Sequence, residues 1–269
     1  MVEAAKPARV NGVEIGGHDF VVIAGPCAVE SEDQILRIAR SVAGAGAVML
    51  RGGAFKPRTS PYTFQGLEID GLKMLASARE ATGLRVVTEV MSVNQVEIVA
   101  RYADMLQIGS RSMANEALLQ EAGRSGWPVL LKRGMMATPE EFAEAAEILV
   151  AHGCRDLVLC ERGIRTFGSS TRNTCDIAAV PLLQKMTGLP VILDPSHSTG
   201  RHDLVVPVSK AAVAVGADGL IVEVHPEPHR ALSDGCQSLS FAGFRAMLAE
   251  LEPHLAVWRE SRSLRAAVS

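Results

Sequence analysis

Short apolar runs rich in Val, Ile and Leu recur along the chain, and each is followed by a polar loop and a stretch with apolar residues at three- and four-residue spacing. The runs lie at 20–26, 47–53, 84–90, 105–110, 128–134, 156–163, 190–197 and 219–225. Their apolar positions are consecutive rather than alternating, which indicates strands buried on both faces, as in a parallel sheet. The pattern predicts eight strands, each paired with a helix.

Signals for helix ends support this alternation. Ser31 and Thr138 precede acidic residues and can cap helix N-termini. Glycines stand where helical stretches should end in a left-handed residue. They are Gly46, Gly83, Gly153 and Gly216. Eight strand–helix units in succession predict an α/β fold of the (β/α)8 type, a TIM barrel.

The alternative is a doubly wound sheet, which usually has fewer strands and more often carries a GxGxxG motif after the first strand. That motif is absent here. No change in composition marks a linker, so we predict one catalytic domain over 1–269. Its first 19 residues, which include VNGVEIGGHD, form an N-terminal extension that we expect to be a short β-hairpin closing the bottom of the barrel.

Composition and charge narrow the possible partners. A net charge of −3 and a pI near 6.2 give no general reason to bind nucleic acid or an anionic membrane, so a basic cluster must serve a local anion. No apolar run approaches the roughly 18 residues of a membrane span, and the first residues lack the apolar core of a signal peptide. We therefore expect a cytoplasmic protein, with its five cysteines reduced.

A basic cluster does occur in LRGGAFKPRTSP (50–61), where Arg51, Lys56 and Arg58 stand among glycines and prolines that cannot continue a helix. Three further cations follow later strands: Arg111, Lys132 and Arg162. In such a barrel, active sites form at the carboxyl ends of the strands. The cations are too many for one carboxylate, and a mixture of Arg and Lys fits two phosphorylated substrates. Solvated or ion-paired surface charge is the alternative for any one of them.

Four potential metal ligands end the same strands or the loops after them. They are Cys27, His197, Glu223 and Asp234. One thiolate, one imidazole and two carboxylates suit a divalent transition metal. Spacing alone leaves open that Cys27 is a buried apolar thiol and His197 a loop histidine with satisfied hydrogen bonds. The four residues are all expected on one face of the barrel, which favours a metal site over these structural roles.

The motifs that carry these residues resemble those of the 3-deoxy-7-phosphoheptulonate (DAHP) synthases, in the short type I subgroup related to 3-deoxy-octulosonate 8-phosphate synthases. The resemblance covers about residues 12–250. Its motifs are AGPCAVES (24–31), LRGGAFKPRTSP (50–61), QIGSR (107–111), LLKRGM (130–135), CERGIRTF (160–167), TRNTCDIAAVP (171–181), LDPSHSTGR (193–201) and IVEVHPEPHRALSDG (221–235). It implies condensation of phosphoenolpyruvate with erythrose 4-phosphate, giving 3-deoxy-D-arabino-heptulosonate 7-phosphate and phosphate, the first step of the shikimate pathway to the aromatic amino acids.

The same resemblance implies residue roles. The metal ligands would be Cys27, His197, Glu223 and Asp234, holding Mn2+, Fe2+, Co2+ or Zn2+. Phosphoenolpyruvate would be held by Arg51, Lys56, Ser110 through its backbone amide, Arg111, Lys132 and Arg162. The aldose phosphate would be held by Arg58 and Thr59. The catalytic residues would be Lys56, Arg51 and His197. In the implied mechanism C3 of phosphoenolpyruvate attacks the aldehyde carbon, water adds at C2, and the hemiketal phosphate loses phosphate, while Lys56 protonates the alkoxide.

Other functions stay open at this point. A 3-deoxy-octulosonate 8-phosphate synthase would use arabinose 5-phosphate, but that family usually reads KANRSS where this chain has KPRTSP (56–61). A secondary-metabolism variant that uses a modified aldose phosphate would look the same in sequence. A barrel that had lost catalysis and served only as a binding partner would be expected to lose metal ligands, whereas all four are present.

Departures from the family pattern bear on partners. GSRSMANE (109–116) stands where GARNMQNF is commoner, which puts the aldose end or a subunit contact in doubt. We expect a homodimer or homotetramer. Because the residues before Phe20 are too few to bury a core, we expect feedback control to be weak or to require a separate regulatory protein. Glu89 and His225 are further candidates to position water or to support metal ligands.

Cys236 follows the proposed ligand Asp234 by two residues. If the metal were lost, Cys27 would be expected to be a low-pKa thiol in a cationic pocket and to oxidise readily. A Cys27–Cys236 disulfide is one expectation. The alternative is that Cys236 is a small loop residue pointing away.

Overall fold

The computed structural model describes residues 6–56 and 63–268, with side chains through 264. The strands are β1 (Ala8–Val10), β2 (Val13–Ile15), β3 (Val21–Gly25), β4 (Met49–Arg51), β5 (Arg85–Val90), β6 (Met105–Ile108), β7 (Val129–Lys132), β8 (Leu157–Glu161), β9 (Val191–Leu193) and β10 (Gly219–Glu223). The helices are α1 (Glu32–Ala45), α2 (Glu68–Thr82), α3 (Val96–Ala100), α4 (Glu116–Arg124), α5 (Pro139–Ala151), α6 (Ala179–Thr187), α7 (Pro195–Thr199), α8 (His202–Val215) and α9 (Phe241–Val268). Short 3-10 turns occupy Val93–Gln95, Pro228–Arg230 and Gly235–Gln237.

Strands β3 to β10 close into one parallel barrel, in which β10 pairs with both β3 and β9. Each apolar run of the sequence forms one of these strands, so the predicted (β/α)8 barrel is confirmed. Because all eight strands are parallel, their carboxyl ends and the loops that follow lie at one end of the barrel. We call this end the mouth and the opposite end the bottom.

Alternate residues of each strand pack in two separate cores. Ile23 and Met49 belong to a cluster inside the barrel, whereas their neighbours Ala24 and Leu50 pack outward against the helices. A strand that is apolar on both faces has no polar alternation, which explains the continuous runs. Each fully buried aliphatic side chain contributes about 1.5–3 kcal/mol relative to an exposed one.

The N-terminal extension forms the predicted hairpin, β1 antiparallel to β2. Asn11 and Gly12 make its turn with positive φ angles of 44° and 93°, as a tight hairpin requires. Ala8, Val10 and Ile15 are at most 1% exposed and join the core inside the barrel. The hairpin thus closes the bottom and leaves the mouth open.

The predicted helix ends are largely confirmed. The Ser31 hydroxyl accepts a hydrogen bond from the backbone N–H of Gln34, and Thr138 forms a capping box with Glu141. Gly46, Gly83 and Gly216 are left-handed C-terminal caps, while Gly153 lies one residue beyond the cap of α5. Within the described residues, no helix is long and apolar enough to cross a membrane.

The structure differs from the sequence pattern after β9. The apolar run 190–197 predicts a strand through this region, but β9 ends at Leu193 and α7 begins at Pro195. Asp194 caps α7 by accepting from the His197 amide at 2.8 Å, and Pro195 at the first position favours the helix. His197 is therefore held by a helix turn rather than by a strand end.

Candidate active site at the barrel mouth

A cavity opens at the mouth, and its empty volume, including the open side, is about 670 Å3. This is within the usual size range of small-molecule sites. Its lining residues are Arg51, Lys56, Glu89, Gln107, Gly109, Ser110, Arg111, Lys132, Met135, Arg162, Arg172, His197 and Asp234. Nine residues predicted from sequence are in this lining, among them the further candidate Glu89. Predicted Arg58 and Thr59 lie outside the described residues.

Cys27 is buried behind this lining and contacts Lys56. The Lys56 Nζ donates to the Cys27 carbonyl at 2.9 Å and lies 3.0 Å from its Sγ. Gly53 permits this arrangement, because a Cβ there would lie 2.8 Å from both the Cys27 carbonyl oxygen and the Lys56 Cδ. The glycines of LRGGAFKP thus allow the loop after β4 to approach Cys27 closely and to return Lys56 to it.

Three of the four predicted metal ligands come together. The Cys27 Sγ and one carboxylate oxygen each of Glu223 and Asp234 lie within 4.8 Å of one another. Ligands 2.0–2.3 Å from a shared ion are separated by at most about 4.6 Å, so the group is close to the size that one ion requires. Glu223 ends a rigid strand, whereas Asp234 sits in a loop with φ 53° and ψ 33°.

His197 lies beside this group. Its Nδ1 is 2.7 Å from an Asp194 carboxylate oxygen, which can only accept, so Nδ1 carries the proton and Nε2 has a free lone pair. The Nε2 is 3.5 Å from the Glu223 Oε1. Burial lowers the pKa of His197 despite the nearby acids, which keeps the imidazole neutral. Two acceptor atoms that face each other in this way fit a cation between them.

The pKa of the Cys27 thiol differs from the value expected from the sequence. Burial, followed by the charge of Glu223, raises the pKa of the Cys27 thiol to about 12 and outweighs Lys56. The expected low-pKa thiol is therefore wrong for the metal-free protein. Cys236 is exposed and Cys27 buried, both as free thiols, and their pairing stays a prediction. Burial opposes ionisation of Asp234 too, but the charge of Arg172 outweighs it and the pKa of Asp234 is lowered to about 2.

The predicted cations divide into paired and unpaired groups. Arg51 pairs with Glu223, and Lys132 with Asp194. In contrast, within the described residues the Nη1 of Arg162 and the Nε of Arg51 are buried without a hydrogen-bond partner. Burial lowers the pKa of Arg162, although a guanidinium stays charged at neutral pH. An unpaired buried cation that lines a cavity favours binding of an anion.

Two charged residues at the carboxyl ends of β7 and β8, Arg133 and Glu161, do not line the cavity. The Arg133 Nη1 donates to Glu161 and to Asp176, both at 2.8 Å. Arg133 and Glu161 are at most 2% exposed. This cluster is closed on itself, and we interpret it as support for the loops around the cavity.

The sequence did not single out several residues near the site. Arg172, Gln107 and Met135 line the cavity, and Gln237 contacts Glu223. Arg172, Gln107 and Met135 occur within motifs that carry the resemblance, but nothing in the residue pattern indicated a role for them. The half-buried Glu89 does line the cavity, whereas His225 lies 3.4 Å from Glu30 and is not in the lining.

Comparison with known proteins shows the family of this chain. The chain matches the DAHP synthetase I family over residues 3–256. It is 52% identical over 243 residues to the phospho-2-dehydro-3-deoxyheptonate aldolase of Thermotoga maritima, covering 90% of this chain and 72% of that protein. It is 36% identical to the 2-dehydro-3-deoxyphosphooctonate aldolase of Syntrophotalea carbinolica, covering 90% and 94%.

Solved structures give the same result. The crystal structure of the Thermotoga maritima phospho-2-dehydro-3-deoxyheptonate aldolase (DAHP synthase) superposes with a TM-score of 0.92 at 49% identity, covering 95% of this chain and 75% of that one. A truncated form of 3-deoxy-D-arabino-heptulosonate 7-phosphate synthase from Thermotoga maritima gives a TM-score of 0.88 at 45% identity, covering 95% and 94%. The chain therefore belongs to the DAHP synthetase I family.

Proposed function

We propose that this protein condenses phosphoenolpyruvate with erythrose 4-phosphate, with water, to give 3-deoxy-D-arabino-heptulosonate 7-phosphate and phosphate, and that it uses a divalent metal. The observation that carries the proposal is the convergence of cations and predicted metal ligands on one cavity in a chain of this family. The names of the relatives at 52% and 36% identity favour the heptulosonate reaction over the octulosonate one.

The cations provide a site for phosphoenolpyruvate. Its phosphate and carboxylate together carry close to three negative charges, which repel one another in a water-excluded cavity unless they are neutralised. Arg162 offers a donor without a protein partner, and Lys132 and Arg51 lie in the same lining. The guanidinium groups of Arg162 and Arg51 can bind phosphate or carboxylate oxygens through two hydrogen bonds, which fixes orientation as well as charge.

The predicted ligands fit a divalent transition metal. Cys27, Glu223 and Asp234 supply a soft sulfur and two hard oxygens, and His197 presents a neutral nitrogen next to them. This mixed set suits Mn2+, Fe2+, Co2+ or Zn2+. When bound, such an ion supplies a Lewis acid for the aldehyde oxygen and a template for the two substrates.

The chain's own residues assist the remaining steps. C3 of phosphoenolpyruvate forms the new bond to the aldehyde carbon, and the aldehyde oxygen takes up a proton. Lys56 lies in the cavity lining beside Cys27 and is our candidate donor of that proton. Water then adds at C2 and phosphate leaves. Glu89 reaches the same cavity, and we assign it to orienting that water.

A phosphate-release assay tests the proposed reaction. We expect release only when phosphoenolpyruvate, erythrose 4-phosphate and a divalent metal are all present. Omission of the aldose or addition of a chelator should each abolish it. Release from phosphoenolpyruvate alone at the same rate would show a phosphatase and contradict the proposal.

Homo-oligomer formation is also part of the proposal. Met136 and Phe167 are almost fully and fully exposed. They lie on neighbouring loops, which are joined by a hydrogen bond of 2.7 Å from the Arg165 backbone N–H to the Met135 carbonyl. Such exposed apolar side chains favour a protein contact. Light scattering should give the mass of a homodimer or homotetramer, and a monomeric mass at micromolar concentration would contradict this part.

A further inference from the structure

Gln237 lies between two of the proposed metal ligands. Its side chain is fully buried. The Nε2 donates to the Glu223 Oε2 at 2.7 Å, and the Oε1 accepts from the Arg172 Nη1 at 2.9 Å. Its backbone N–H donates to the Asp234 carbonyl at 3.2 Å. One residue thus contacts Glu223 directly and Asp234 through the main chain.

The partners allow the amide of Gln237 only one orientation. A carboxylate can only accept hydrogen bonds and a guanidinium can only donate them. The NH2 group must therefore face Glu223, and the carbonyl must face Arg172. Arg172 extends the connection, because its Nη1 lies 3.3 Å from the Asp234 Oδ1. A continuous series of polar contacts joins the two carboxylates.

This connection compensates for the weaker placement of Asp234. A non-glycine residue in the left-handed region, such as Asp234, is strained and needs support from its neighbours. Arg172 contacts Oδ1, while Oδ2 lies 3.3 Å from the Cys27 Sγ. The contact with Arg172 therefore leaves one oxygen of Asp234 facing the other ligands.

We propose that Gln237 is a positioning residue of the metal site. Its amide holds the Glu223 carboxylate and, through Arg172, the Asp234 carboxylate at the separation that one divalent cation requires. Gln237 is not part of the cavity lining, so we assign it no contact with substrate. The inference rests on the metal site of the proposed function. Groups that orient metal ligands typically contribute 10- to 100-fold to metal affinity.

Gln237→Met tests the proposal, because Met has a similar length but cannot make either hydrogen bond. The dissociation constant for Co2+ is measured by competition with a chelator, without substrates. We expect it to rise by about 10- to 100-fold, with a change in the absorption spectrum of the bound Co2+. Gln237→Asn, which is one methylene too short to span both partners, should weaken Co2+ binding in the same direction and serves if Gln237→Met does not fold.

Gln184→Met is the matched control at the bottom of the barrel, where the Gln184 Nε2 donates to the Asp218 carboxylate at 2.9 Å. It should lower the melting temperature of the metal-free protein and leave Co2+ affinity unchanged. Wild-type affinity in a folded Gln237 variant, or an equal loss of affinity in Gln184→Met, would overturn the inference. If the wild-type protein bound no Co2+, the metal site of the proposed function would itself be wrong. Tight binding by the wild-type protein with no loss in a Gln237 variant would overturn only the role of Gln237, so the two failures are distinguishable.

Discussion

The two ends of the barrel use buried charge in opposite ways. At the bottom, the buried Asp218 accepts from the Val191 amide at 2.8 Å and from Gln184 at 2.9 Å, and it pairs with Arg262. At the mouth, the buried Arg162 has a donor without a partner in the described chain. Both carboxylate oxygens of Asp218 accept hydrogen bonds within the protein, whereas the mouth retains capacity to bind an anion.

This contrast indicates that a buried charge without a partner marks a binding site, whereas a fully paired one serves stability. A polar group that is buried without a partner costs about 1–3 kcal/mol, and a charge costs more. A closed network such as that of Asp218 offsets its own cost and stabilises the fold. A buried donor without a partner, such as the Nη1 of Arg162, destabilises the free protein. Its burial becomes favourable only when a ligand binds to it. Variants at the two ends should therefore separate stability from activity.

Metal removal should produce the largest effect. If Cys27, His197, Glu223 and Asp234 hold the metal, a chelator should lower turnover by more than about 1,000-fold, because the loss of a Lewis acid costs several kcal/mol. Addition of Mn2+, Fe2+ or Co2+ in excess should restore it. Full turnover in protein shown to be metal-free by elemental analysis would refute the ligand assignment.

The substitution Arg162→Met should produce the second largest loss of activity. We expect kcat/KM for phosphoenolpyruvate to fall about 100- to 1,000-fold, because a preorganised donor at the anion site is lost. The melting temperature should stay equal or rise, since an unpaired buried charge has been removed. Arg162→Lys, which keeps the charge but not the planar fork, should be intermediate. Wild-type kinetics in Arg162→Met would show that the open donor is not used.

Arg262→Met should show the reverse behaviour at the bottom. It removes a charged partner of Asp218 and of the Gly16 carbonyl. The free energy of unfolding should fall by about 1–3 kcal/mol, while kcat/KM measured at 25 °C stays unchanged. A loss of activity without a loss of stability would mean that the two ends are not independent.

The smallest effect concerns thiol reactivity. Burial raises the pKa of Cys154 to about 11, so about one molecule in a thousand carries its thiolate at pH 8. Cys236 is exposed. An alkylating reagent at pH 8 should therefore modify Cys236 well before Cys154, and the rate at Cys154 should rise about tenfold per pH unit up to pH 11. Mass mapping checks the order, and faster modification of Cys154 would contradict it.

The sequence predicted the barrel because its signals are local. The eight apolar runs, the Asn11–Gly12 turn and the Ser31 and Thr138 caps each depend on residues close in the chain. Strand ends were predicted less well. Helix α7 was missed because its cap Asp194 lies in an apolar run that continues from β9.

The site was predicted in type but not in detail. Residue identity and the family resemblance selected Cys27, Glu223 and Asp234, which the structure brings together. Partners that depend on packing could not be read from the chain. Arg172 reaches Asp234 across 62 positions of sequence, and the pKa of Cys27 depends on burial that no motif reveals. Arg58 and Thr59 stay predictions, since they lie outside the described residues.

The central claim, that the mouth joins phosphoenolpyruvate to erythrose 4-phosphate, is tested most directly by competition. Erythrose 4-phosphate and arabinose 5-phosphate are offered together at equal concentration with limiting phosphoenolpyruvate and Mn2+, and the products are separated by mass. The product ratio reports the ratio of kcat/KM values. We predict at least about tenfold more seven-carbon than eight-carbon product, equivalent to about 1.4 kcal/mol in transition-state binding. An excess of the eight-carbon product, or no condensation product at all, would contradict the account.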